Sequence, residues 1–138
     1  MKRLAFAPVL LILSSASMAE PVVQTAAGDW TRLPQLSQRG YDHLDINVMS
    51  RLYRIASERK CALPGYSHTG LDLNLSFAVQ YNPDGSLGRI ILPKLDCPEA
   101  EGLLGYAIIK MINAGDYKAT GENPEGWYQS ELTFNYEH

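Results

Sequence analysis

The chain has 138 residues, 46% hydrophobic and 20% charged, with a formal net charge of −3 at pH 7. That length and mix describe one ordinary globular domain and exclude a disordered chain, which lacks the apolar residues to build a core. The acidic balance argues against nucleic acid as a partner, which wants a basic face, and the acids, scattered from Glu20 to Glu137 without a block, read as a solvated surface.

The chain opens Met1-Lys2-Arg3, continues apolar from Leu4 to Leu13, and then runs Ser14-Ser15-Ala16-Ser17-Met18-Ala19. A basic start, a short apolar run and small residues before a cut site make residues 1–19 a signal peptide, cleaved after Ala19. The apolar run is about ten residues, half of the ~20 that a spanning helix needs, so no stable membrane span is expected after cleavage. Loss of Lys2 and Arg3 with the leader makes the remainder more acidic still. The expected location is the periplasm, an oxidising compartment in which Cys61 and Cys97, the two cysteines, form one disulfide. A redox or metal role is the alternative, but the chain has no Cys-x-x-Cys and no Cys/His cluster.

Residues 20–40 carry Pro21, Gly28 and Pro34 with little periodicity and read as an extended N-terminal arm, docked by Trp30 and Leu33. From Tyr41 the period changes, and residues 41–138 form the domain. Leu44, Val48, Leu52 and Ile55 fall on one stripe of a helix predicted from His43 to Lys60, with Asp42 as its cap and Arg59 and Lys60 at its negative end. Ala62 to Gly70 is a loop. Leu71, Leu73, Leu75, Phe77, Val79 and Tyr81 then alternate with polar or small residues, the pattern of a half-buried strand. Asn82-Pro83-Asp84-Gly85 is a hairpin turn, Leu87 to Leu92 the returning strand, and Pro93 its stop.

Pro98 suits the first turn of a second helix, with Glu99 and Glu101 near its positive end. Ala100, Leu103, Leu104, Ala107, Ile108, Met111 and Ile112 form its apolar stripe, which ends at Asn113-Ala114-Gly115. Gly102 and Gly105 are read as places where helix and sheet approach closely. A loop from Asp116 to Gly126 leads to a last alternating strand, Trp127 to Tyr136. The order helix, strand, strand, helix, strand predicts an α+β fold: a three-stranded antiparallel sheet, order 2-1-3, with two helices packed on one face. The C-terminal strand is then an edge, whose free N–H and C=O groups another chain can use.

The elements carry recognisable stretches: Leu71-Asp72-Leu73-Asn74-Leu75-Ser76-Phe77 running into Asn82-Pro83-Asp84-Gly85, a helix entered through Asp96-Cys97-Pro98-Glu99-Ala100, and a closing Leu132-Thr133-Phe134. In that order they resemble the TonB/TolA C-terminal domain, the TolA type more than the TonB type, over Tyr41 to His138. Cys97 stands where TolA has a disulfide-bonded cysteine, although Cys61 precedes the first strand and TolA's partner cysteine lies within it. The resemblance implies a periplasmic module that engages an envelope protein partner, in several cases by adding a strand at the sheet edge. Carried onto this chain, the partner-binding residues are Trp127, Gln129, Glu131, Thr133 and Asn135 on the last strand and Tyr117 in the adjacent loop. A strand-exchanged homodimer would use the same edge. Residues 20–40 span at most about 75 Å when extended, and no anchor precedes them once the leader is cut, so a free relative is expected rather than a force transmitter.

No catalytic, metal or cofactor residues are proposed, and the chain is not read as an enzyme. His43, His68 and His138 are far apart and lack ligand-spaced partners, and neither a nucleophile elbow nor a phosphate-cradling loop is present. Tyr66, Tyr117 and Trp127 lie in or beside loops and suit contact. Small size, acidity and the leader also fit an inhibitor or immunity-type protein that blocks a toxin or hydrolase with the Asp116 to Gly126 loop.

Overall fold

Alternation of Leu71, Leu73, Leu75, Phe77 and Val79 with polar neighbours builds the strand on which the molecule is assembled. The computed structural model describes residues 20–39, 44–121 and 126–138; the leader and the Tyr41 to His43 approach to the first helix lie outside them. The elements in order are β1 (Val22–Thr25), β2 (Ser37–Gln38), α1 (Ile46–Ser57), β3 (Tyr66–Ser67), β4 (Gly70–Tyr81), β5 (Leu87–Leu92), α2 (Pro98–Asn113), β6 (Tyr117–Lys118) and β7 (Trp127–Glu137).

β4 is the central strand. Along one edge it pairs with β7, in unbroken antiparallel register from Gly70↔Glu137 to Gln80↔Trp127. Its other edge is shared by β5, which pairs with Ala78 to Tyr81, and by the short β3, which pairs with Gly70 and Leu71. β1 lies outside β5 and runs parallel to it, Val22↔Arg89 to Thr25↔Leu92. β2 and β6 form a separate two-stranded sheet.

This corrects the expectation of a three-stranded antiparallel sheet: among the described residues seven strands are present, in a mixed five-stranded sheet and a two-stranded one. The reason is physical. The four additional strands are two to four residues long, too short to print a period of two. β1 pairs across the sheet with a strand far along the chain, so no turn announces it.

The hairpin turn forms through Gly85, whose φ of 86° suits a residue without Cβ. Gly85 N–H donates to the Asn82 carbonyl at 2.9 Å, and Asn82 N–H to the Ser86 carbonyl at 2.7 Å. The ladder carries a bulge between Gln80 and Tyr81. Hydrogen bonds from the Ser86 hydroxyl and N–H hold the Asp84 carboxyl below its usual range.

Asp45 caps α1 by accepting the Asn47 N–H at 2.9 Å; the expected cap, Asp42, lies outside the described residues. The helix stops at Ser57, short of Lys60, because Arg59 turns left-handed at φ 58°. α2 follows its sequence pattern, with Pro98 at its start and Glu99 and Glu101 in its first turn.

α1 lies against β4 and β7, α2 against β1 and β5, and the helices touch each other. Between them and the sheet sit Leu71, Leu73, Phe77, Val79, Ile90, Leu104, Ile108 and Leu132, all at most 1% exposed. At Gly105 a Cβ would come within 2.6 Å of Val23 Cγ1, so α2 rests directly on β1. The Cys61–Cys97 disulfide joins the exit of α1 to the entry of α2, at a sequence separation of 36. A closed loop of that size stabilises by about 4 kcal/mol in the chain-entropy model.

Candidate functional site

The sheet face away from the helices is polar along β4 and β7, and the arm crosses it. Ala26 N–H donates to the Leu92 carbonyl at 3.0 Å, which extends the β1 ladder. The chain then runs over to the far side of the sheet, where Gln129 takes hold of it. Gln129 N–H donates to the Pro34 carbonyl at 2.9 Å and its own carbonyl accepts Leu36 N–H at 2.8 Å. Its side-chain amide donates to the carbonyls of Thr31 at 3.1 Å and Leu33 at 3.0 Å. Beyond Leu36 the arm departs, through β2, to pair with β6.

Gln129 thereby fixes the direction of every main-chain group on β7. Its N–H and C=O point outward, away from β4, and in a regular antiparallel ladder the residues two apart do the same. Gly126 and His138 bond to the β4 side, which agrees with that phase. The outer edge therefore presents the N–H and C=O groups of Glu131, Thr133 and Asn135. Among the described residues no strand pairs with this edge beyond the single parallel bridge of Gln35 and Gln129. The open stretch, Glu131 to Asn135, is about 17 Å long at strand rise.

The sequence-proposed partner residues divide accordingly. Glu131, Thr133 and Asn135 are exposed and share the open stretch. Thr133 Oγ1 bonds to Asn74 Oδ1 at 3.3 Å and Ser76 Oγ to Glu131 Oε1 at 3.5 Å, so two of these side chains are steadied from β4. Gln129 is 9% exposed and engaged by the arm. Trp127 is half-buried where β7 begins. Tyr117 is 1% exposed, with its ring edge-on to Phe77 at 5.6 Å, and belongs to the core rather than to a loop surface. Residues 122–125 of the loop before β7 lie outside the described residues.

Sequence reasoning missed the arm residues that hold the edge, Pro34 and Leu36. The available signal was Leu36, an isolated apolar residue between Gln35 and Ser37, which is 5% exposed. It also missed an open cleft of about 360 Å³ on the polar face, lined by Asp29, Trp30 and Thr31 of the arm with Asn74 and Ser76 of β4. The Thr31 N–H, 3.0 Å from Asp29 Oδ1, holds that carboxyl below its usual range.

Tyr53 donates its hydroxyl to the His68 carbonyl at 3.0 Å and stacks on His138 at 4.7 Å, in an aromatic cluster with Tyr66 and Tyr136. Among the described residues no group of three or more His, Cys, Asp or Glu side chains is placed to hold a metal ion, and no helix is long and apolar enough to cross a membrane. No family model, curated protein or solved structure matches the chain.

Proposed function

We propose that this chain is an exported periplasmic binding module that takes an extended segment of an envelope protein onto the outer edge of β7 between Glu131 and Asn135. One observation carries the reading: the same edge already holds an extended segment two residues away, where Pro34 to Leu36 lies parallel to β7 on Gln129. A partner strand laid beside Glu131, Thr133 and Asn135 would continue that line, with main-chain hydrogen bonds supplying affinity and alternate side chains supplying selectivity. The disulfide fits an oxidising compartment. The resemblance to TonB/TolA C-terminal domains points the same way and rests on the order of elements.

Thr133→Pro tests the reading, because the Thr133 N–H faces outward and its loss spares the β4 ladder. A photo-crosslinking residue at Asn135 should trap a partner in envelope preparations, and Thr133→Pro in the same chain should abolish the adduct. An undiminished adduct from a Pro variant with the native circular dichroism spectrum would show that the edge is not the docking line.

A further inference from the structure

We propose that the cleft on the polar face binds a short extended peptide segment with a basic side chain, laid against β4 at Asn74 and Ser76. The site is separate from the outer edge of β7 and lies on the other side of β4. The main-chain phase of β4 carries unused hydrogen-bonding groups into it. Tyr81 N–H donates to the Gly126 carbonyl at 2.9 Å on the β7 side, whereas Asp72 N–H donates to the Gly65 carbonyl at 3.0 Å on the opposite side. In an antiparallel ladder both groups of a residue face the same way and residues two apart agree, so Asn74 and Ser76 turn their N–H and C=O away from β7, as Asp72 does.

Nothing takes up those groups, and two prolines explain why. The pairing of β5 with β4 ends at Ala78↔Ile91. Continued by two residues it would set Pro93, which has no N–H, opposite Ser76. On the β3 side the chain leaves through Pro64, and both prolines line the cleft together with Asn74 and Ser76. Among the described residues Asn74 and Ser76 make no main-chain hydrogen bond on this side. The Cys61–Cys97 bond ties together the two chains that part at Pro64 and Pro93. The gap is therefore held open before a ligand arrives, which lowers the ordering cost of binding.

A peptide backbone is the chemistry that matches. Asn74 and Ser76 each offer one donor and one acceptor, about 7 Å apart along the strand, and alternate residues of an added strand exchange both bonds with such a pair. The residue between them would share the face of Leu75, which is 6% exposed, and has to be small. The cleft, about 360 Å³, has the size of a small-ligand site. Charge selects the side chains. Of the residues that line the cleft, Asp29 is the charged one, its carboxylate fixed by the Thr31 N–H at 3.0 Å. Ser76 bonds to a second carboxylate, Glu131 Oε1, at 3.5 Å. Trp30 stands next to Asp29, and a Cβ at Gly28 would lie 3.4 Å from its Nε1, so the indole is seated against its own turn. A Lys or Arg side chain gains from both the carboxylate and the aromatic ring, which an acidic one does not.

The test titrates the oxidised chain without its leader with acetyl-Arg-Ala-Arg-amide and follows the amide signals by nuclear magnetic resonance. The Asn74 and Ser76 amides and the Trp30 indole N–H should move together and saturably. Acetyl-Glu-Ala-Glu-amide should bind about tenfold more weakly, and Asp29→Asn should erase most of that difference. The arginine peptide methylated at both arginine main-chain nitrogens should not bind, a comparison that needs no altered protein. Thr133→Pro should leave the titration unchanged, which separates this site from the β7 edge. Stationary Asn74 and Ser76 signals overturn the proposal, as does a methylated peptide that binds like its parent or a titration abolished by Thr133→Pro. Movement of the same signals by a neutral disaccharide and not by the peptide, or on concentrating the chain alone, also overturns it, in favour of a sugar or of a second copy.

Discussion

Leu36 and Gln129 are joined main chain to main chain at the outer edge of β7, the Leu36 N–H lying 2.8 Å from the Gln129 carbonyl. Three further hydrogen bonds converge on Gln129, two of them through its side-chain amide. Replacing Gln129 with Ala removes those two donors and leaves the Thr31 and Leu33 carbonyls to water. The expected loss is about 1 to 3 kcal/mol, read as a lower denaturation midpoint. Hydrogen exchange should show the Leu36 amide deprotected while β4 and β5 remain protected.

The covalent tie between α1 and α2 makes a second prediction. Cys61→Ser with Cys97→Ser should lower stability by about 4 kcal/mol if the chain-entropy account holds. Thermal melting with and without reductant checks it, because the double variant should be indifferent to reductant.

Tyr81 gives a pH dependence. Burial, and secondarily Tyr128, raises its hydroxyl above the ordinary value of 10.0; the two rings meet edge-on at 5.9 Å. The folded state thus favours the neutral phenol, while the unfolded chain ionises near its ordinary value. This contribution is complete below about pH 10 and is lost as pH rises through the raised value. Tyr81→Phe should flatten the alkaline limb of a plot of denaturation midpoint against pH, and an unchanged limb would refute the assignment.

The contact of Gly105 with Val23 gives a structural prediction. A Val at 105 has no room over β1, so Gly105→Val should cost about 1 to 3 kcal/mol through overpacking. The β1 amides should exchange faster than in the parent, with α1 unaffected.

The hairpin, the second helix and the last strand were legible because each repeats its period long enough to show. Leu71 to Tyr81 displays alternation five times over, and Pro98 and Gly115 bracket the helical stripe of α2. The close approach at Gly105 was legible too, whereas Gly102, read the same way, faces open space. β1 was not, because Val22-Val23-Gln24-Thr25 is four residues whose partner is the returning strand of the hairpin, beyond the first helix. Tyr117 was misplaced because a tyrosine among Gly, Asp and Lys looks like loop surface, and only the pairing of β6 with β2 turns its ring toward Phe77. The edge character of Glu131, Thr133 and Asn135 followed from strand order, but the occupation of Gln129 did not, since nothing local in Thr31 to Leu36 names its acceptor.

Gln129 and the Thr31 carbonyl it holds stand 98 positions apart. A chain synthesised from its N-terminus produces the segment around Thr31 long before the residue that fastens it exists. During that interval the segment has no seat, and loop closure over such a span is slow. The strap cannot be fastened before Gln129 has been made, and a helper protein that receives the chain during synthesis would meet it as loose thread.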